Sequence, residues 1–189
     1  MSYALACQPN AFVAATRAWV DKAVIGLNLC PFAKAVQHKG LVRYVVSDAT
    51  QAAALQEKLV EEIVLLASAD PALIDTTLLI HPAVLADFRD FNDFFGVADA
   101  ALRAIGLEGV IQIASFHPAY RFAGTAPDDI GNFSNRSPYP TLHLLRESSI
   151  DQAVTAFPHA ADIYERNLET LQKLGHAGWA RLFADDTAG

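Results

Sequence analysis

Two segments of the chain end an apolar, β-branched run in the same way. "LLIHPAV" closes on His81-Pro82 and "ASFHPAYRFAG" on His117-Pro118. Proline biases the residue before it toward extended geometry. Each imidazole is therefore expected to be fixed at the carboxyl end of a strand, the edge where open α/β sheets bind ligands. His143 is the third residue of a further run, "TLHLLRE". If that strand returns antiparallel, its beginning lies near the same edge and three imidazoles share one crevice. Imidazole is the side chain best matched to general acid–base work near neutral pH, and it is also a metal ligand. On this reading His117 is acid or base, with His81 and His143 beside it.

Other groups with chemical potential cluster around those strand ends. Cys30, in "LNLCPFAK", precedes Pro31, which suits a first helical turn. A thiol at a helix N-terminus with Lys34 one turn away would favour thiolate and could act as a nucleophile, whereas a free cysteine is more commonly a small buried hydrophobe. Asp87, Asp90 and Asp93 recur in "ADFRDFNDFF" at the start of the helix after His81. Carboxylates there complement the helix dipole, and Asp90 or Asp93 could also orient a histidine or act as a base. His81, His117 and His143 could hold a divalent metal as a hydrolase site, although no short ligand spacing accompanies them.

Between His117 and Pro140 lies a stretch of about two dozen residues rich in Pro, Gly, Asn, Asp and Ser, and connections this long in a compact domain are usually functional or disordered. Tyr120, Phe122, Phe133 and Tyr139 can pin it to a surface. Arg121, Asn132, Ser134, Asn135 and Arg136 supply donors. In a chain of net charge −7, two loop arginines near histidines suggest a carboxylate or phosphate ligand. The plainer alternative is that these groups bind the loop's own carbonyls, or pair with Asp128 or Asp129.

The elements that must position these groups follow from periodicity. Asn10 can cap a helix carrying Val13, Trp19, Val20, Val24 and Leu27, and Gly40 ends a short helix after Pro31. "LVRYVVS", "DTTLLIH", "GVIQIASF" and "TLHLLRE" read as strands. Ser47 or Asp48 is expected to cap a helix with Leu55, Leu59, Ile63 and Leu66 buried and Glu57, Lys58, Glu61 and Glu62 in water. A helix with Phe88, Phe91 and Phe95 along one side runs to Gly106. Ser148 or Ser149 caps a later helix, Pro158 opens another, and "HAGWARLF" forms a final short one. Strand–helix alternation predicts one α/β domain over residues 1–189, with the first ten or so and last five or so residues loosely ordered. The expected sheet is mixed and four-stranded: three parallel strands with helical crossovers, a fourth antiparallel, and helices covering it.

Composition narrows the function classes. The chain has 189 residues, mean hydropathy +0.22 and scattered basic residues, which argues against nucleic-acid binding. No apolar run approaches a membrane span, the N-terminus does not read as a secretory signal, and two cysteines are too few for a disulfide framework. Cytoplasm is the expected location and a homodimer is compatible with the apolar content. No GxGxxG, P-loop or GxSxG motif occurs, so no cofactor can be named.

Taken together, "GLNLCPFAKAV", "LLIHP", "FRDFNDF", "FHPAYRFAG" and "NFSNRSPYPTLHLLRE" resemble a bacterial family catalogued as domain of unknown function 1415, from about Thr16 to Phe183. The resemblance implies a single-domain bacterial cytoplasmic protein and brings no activity, cofactor or catalytic residues. The residues themselves lead us to expect an enzyme or enzyme-like protein acting on a small anionic metabolite in a His/Arg-lined crevice. A non-catalytic module binding a ligand or partner and a metal-dependent hydrolase are the alternatives.

Overall fold

A computed structural model describes residues 9–156 and 162–184. The expected loose ends, and the helix start at Pro158, fall on residues outside that set. Strands β1 (Val42–Val46), β2 (Thr76–Ile80), β3 (Ile111–Phe116) and β4 (Thr141–Arg146) form one mixed sheet in the order β1-β2-β4-β3. Helices α1 (Pro9–Trp19) and α2 (Ala33–His38) precede β1, with a π-helical turn, Val20–Ile25, continuing α1. Helix α3 (Ala52–Ser68) joins β1 to β2 and α4 (Phe88–Ala104) joins β2 to β3. Helices α5 (Glu147–Ala156) and α6 (Ile163–Leu182) follow β4.

The expectation of three parallel strands needs correction. Only β1 and β2 pair in parallel; β4 is inserted between β2 and β3 and pairs antiparallel with both. The α4 crossover spans the width of one further strand, and the long connection after β3 brings β4 back into that gap. Because β4 opposes both neighbours, the carboxyl ends of β2 and β3 still lie at one edge, beside the start of β4. Burial follows position. All five residues of central β2 are buried, whereas those of edge strand β1 are only half-buried.

Strand alternation divides the interior between the two faces of the sheet. On one face Leu79, Leu142 and Leu144 meet Leu55, Leu59 and Ile63 of α3 and Phe91 and Phe94 of α4. Each such side chain contributes about 1.5–3 kcal/mol on burial. On the other face Leu78 meets Trp19, Val20 and Ala23, with Phe116, Trp179 and Phe183 packed around them. Gly106 ends α4 at φ 72°, the left-handed conformation that glycine adopts without a Cβ clash.

Two local expectations are also corrected. Helix α3 starts at Ala52 after an extended Gln51 with no side-chain cap, while Ser47 Oγ accepts from the Ala49 amide in a turn before it. Glu62 does not face water: it is 1% exposed. Arg43 of β1 donates to it from Nε and from Nη2 at 2.9 and 3.2 Å, and Lys58 approaches at 3.1 Å. Burial alone would raise its carboxyl, but the hydrogen bonds from Arg43 and Lys58 outweigh that and hold it below the usual range.

Candidate functional site

The repeated His-Pro-Ala sequence makes the same kind of turn twice. The His117 carbonyl accepts from the Tyr120 amide at 3.0 Å, and that of His81 accepts more loosely from Val84 at 3.5 Å. Each ring then braces its loop. His81 Nδ1–H donates to the Val84 carbonyl at 3.1 Å. His117 Nδ1 accepts from the Ala119 amide at 3.0 Å, so its Nε2–H donates to the Leu85 carbonyl at 3.2 Å. That second bond ties the loop after β3 to the loop after β2. It also steadies Leu85, whose φ of 57° is costly for a side-chain-bearing residue.

These hydrogen bonds fix the tautomers and leave little for acid–base chemistry. His81 is 0% exposed and stacks on Phe91 at 5.7 Å. Burial, with a smaller contribution from nearby His117, brings its pKa down to about 4. His81 Nε2 has no partner among the described residues. His117 is 1% exposed and tilts against Phe91 and Phe88. Burial lowers its pKa too, against smaller upward effects that include the Asp87 carboxylate. Asp87, rather than Asp93, is the acid near the pair, and it is already the N-cap of α4, accepting from the Arg89 and Asp90 amides. Asp90 and Asp93 are exposed on α4.

His143 does not join them. It faces Leu78 in register and its ring lies 5.9 Å from that of Phe116, on the opposite face of the sheet. Thr76 Oγ1 gives its one proton to the Leu144 carbonyl and so accepts from His143 Nε2 at 2.7 Å. Burial holds this pKa near 4 as well. The shared three-histidine crevice, and the metal set His81, His117 and His143, are therefore divided between two faces. Among the described residues no group of three His, Cys, Asp or Glu side chains is arranged to hold a metal ion. Cys30 sits in the connection before α2, and burial pushes its thiol up against weaker opposing effects from the Phe32 and Ala33 amides. Among the described residues no histidine contributes to that shift.

The loop donors turn inward. Asn132, fully buried, accepts from the Phe122 amide and Thr125 Oγ1 and donates to the Ala126 carbonyl. Ser134 donates to the Gly131 carbonyl and Asn135 donates to the Ser115 carbonyl. Arg121 is exposed. The four loop rings act as anchors: Tyr120 against Phe88, Phe122 against Tyr164, Phe133 against Trp179, and Tyr139 against Phe12. A 3-10 helix, Ile130–Asn135, stiffens the centre.

Arg136 is the exception. Its Nε donates to the Tyr120 carbonyl and its Nη2 to the Pro127 carbonyl, and its guanidinium lies 4.2 Å over the Phe133 ring. Nη1 has no hydrogen-bond partner, and the side chain no ion pair, among the described residues. Arg136 lines a cleft of about 750 Å3 between α1, the loop and α6. Helix α1 contributes Ala11, Ala14, Ala15, Ala18 and Trp19. Pro118, Phe133, Ser137 and Pro138 come from the loop, and Trp179 and Phe183 from the last turns of α6 and the residue that caps them. Those turns diverge at Gly175, whose φ of 65° and ψ of 172° break the helix. His176 Nε2 donates to the Asp128 carbonyl at 2.8 Å, holding the diverted segment to the loop.

The sequence gives Arg136 its place among the candidates, but the cleft's other walls are not in that set. The signal for them is the alanine spacing 11, 14, 15, 18, one helical face without bulk. No curated protein and no solved structure matches the chain. A family model described as protein of unknown function (DUF1415) matches residues 11–181, and the chain belongs to that family.

Proposed function

We propose that this protein binds a small organic anion with an apolar body in the cleft between α1, the long loop and α6. The observation that carries the reading is Arg136. Two of its nitrogens are held by backbone carbonyls and its guanidinium lies over Phe133, while Nη1 has no partner among the described residues and the side chain lines a mainly apolar cavity. A guanidinium with no carboxylate partner among the described residues, in a chain of net charge −7, is an uncompensated local charge there, and a ligand carboxylate is the group that suits its donor geometry. The volume falls within the range of small-molecule sites. This favours binding over acid–base catalysis, because His81 and His117 are buried, burial disfavours their charged forms, and each donates to a loop carbonyl.

Calorimetric titration with hexanoate and with hexanamide tests the reading. Wild-type protein is expected to bind the carboxylate and not the amide, and Arg136→Gln to lose at least about tenfold in affinity, one charge-assisted hydrogen bond's worth. Equal binding of acid and amide, or full affinity in Arg136→Gln, would remove it.

A further inference from the structure

We infer that the apolar body of that ligand is an aromatic ring, so that the cleft selects aromatic over aliphatic carboxylates; this rests on the anion reading above. Trp19, Phe133, Trp179 and Phe183 all line the cavity. Phe133 and Trp179 meet edge to face, 5.2 Å apart at 79°, Trp179 and Phe183 are tilted, 5.8 Å apart at 60°, and Trp19 is set edge-on against Phe116. Together they offer ring faces and ring edges that a further ring can meet in the same tilted geometry. Helix α1 presents only methyl groups to the cleft, at Ala11, Ala14, Ala15 and Ala18, before Trp19. Without larger side chains there, the α1 wall suits a flat body. Arg136, beside Phe133, places the anion contact next to the ring wall.

Area and aromatic geometry predict opposite orders for one pair of probes. Cyclohexylacetate carries the same charge as phenylacetate and more apolar hydrogen surface, so an apolar cleft acting through area alone prefers the saturated ring. A ring-selective wall prefers phenylacetate. The experiment is calorimetric titration of the whole chain with phenylacetate, cyclohexylacetate and phenylacetamide, in wild type, Arg136→Gln, Trp179→Leu and Phe183→Leu. The expected result is phenylacetate binding about 2- to 12-fold tighter than cyclohexylacetate, with that preference lost in whichever of the two wall variants folds. Cyclohexylacetate binding equally or more tightly, with the dependence on Arg136 intact, overturns the aromatic inference and leaves the anion reading standing. A phenylacetate preference untouched in both wall variants also overturns it. Carboxylates that fail to bind, or that bind without regard to Arg136, defeat the anion reading itself.

Discussion

On one face of the sheet, α3 and α4 set Leu55, Leu59, Ile63 and Phe91 against Leu79, Leu142 and Leu144, and all seven are 0–1% exposed. On the other face, α1 places alanines where side chains of that size would reach α6 and the loop, and a cleft remains. The two histidines that invite a catalytic reading lie on the closed face, where their rings brace turns. The open face has Arg136, a loop residue that does not belong to any strand. The contrast teaches that a polar side chain at a strand end can be spent on architecture, whereas a site needs leftover hydrogen-bonding capacity that a ligand can reach; His81 Nε2, without a partner among the described residues, is sealed from solvent.

The sharpest way to break the contrast is to open the closed face. Leu142→Ala is expected to cost about 2–5 kcal/mol, measured by urea unfolding. A loss under about 1 kcal/mol would mean that this face is less tightly packed than described.

Acid comes next. His81 and His143 titrate near 4 in the folded chain, below the imidazole's ordinary 6.5, so the unfolded chain takes up these protons first. Stability is complete above about pH 6.5, falls as the pH drops toward 4, and stops falling on this account below that. His81 alone accounts for a loss on the order of 3 kcal/mol. His81→Asn, which can keep a donor toward the Val84 carbonyl and cannot titrate, should flatten the pH dependence in urea midpoints between pH 4 and 6.5. An unchanged slope would show that His81 is not the buried neutral ring described.

His117→Ala removes one ring that serves two loops. It is expected to cost about 1–3 kcal/mol, through the orphaned Ala119 amide and Leu85 carbonyl, and to leave hexanoate affinity within about twofold, since the ring points away from the cleft. Loss of ligand binding without loss of stability would return His117 to the site. The smallest effect on stability belongs to Ala15→Leu, within about 0.5 kcal/mol. It should nonetheless weaken hexanoate binding by filling the cleft; unchanged affinity would place the ligand elsewhere.

Much of the fold is legible in the sequence, because β-branched runs and helical stripes report local structure directly. The insertion of β4 between β2 and β3 is not, since strand order depends on which partner a returning segment finds. Glu62 looked solvated because a helical wheel does not show Arg43 on a neighbouring strand. The His-Pro pair marks the ends of β2 and β3, yet side-chain direction is not legible: in β4 a single step in register sets His143 on the other face from Leu142. Arg136 was visible as a candidate for its charge, but its spare nitrogen exists only once the Tyr120 and Pro127 carbonyls are in position. The cleft is not legible in the sequence because α1 walls it with alanines, whose small size marks no site.

The most direct measurement is a 1H–15N spectrum of the labelled protein titrated with phenylacetate. The account predicts that the indole signals of Trp19 and Trp179 and the Arg136 Nε–H move with added ligand, while the imidazole signals of His81 and His117 stay in place. Imidazole signals that shift while the indole and guanidinium signals remain still would contradict it.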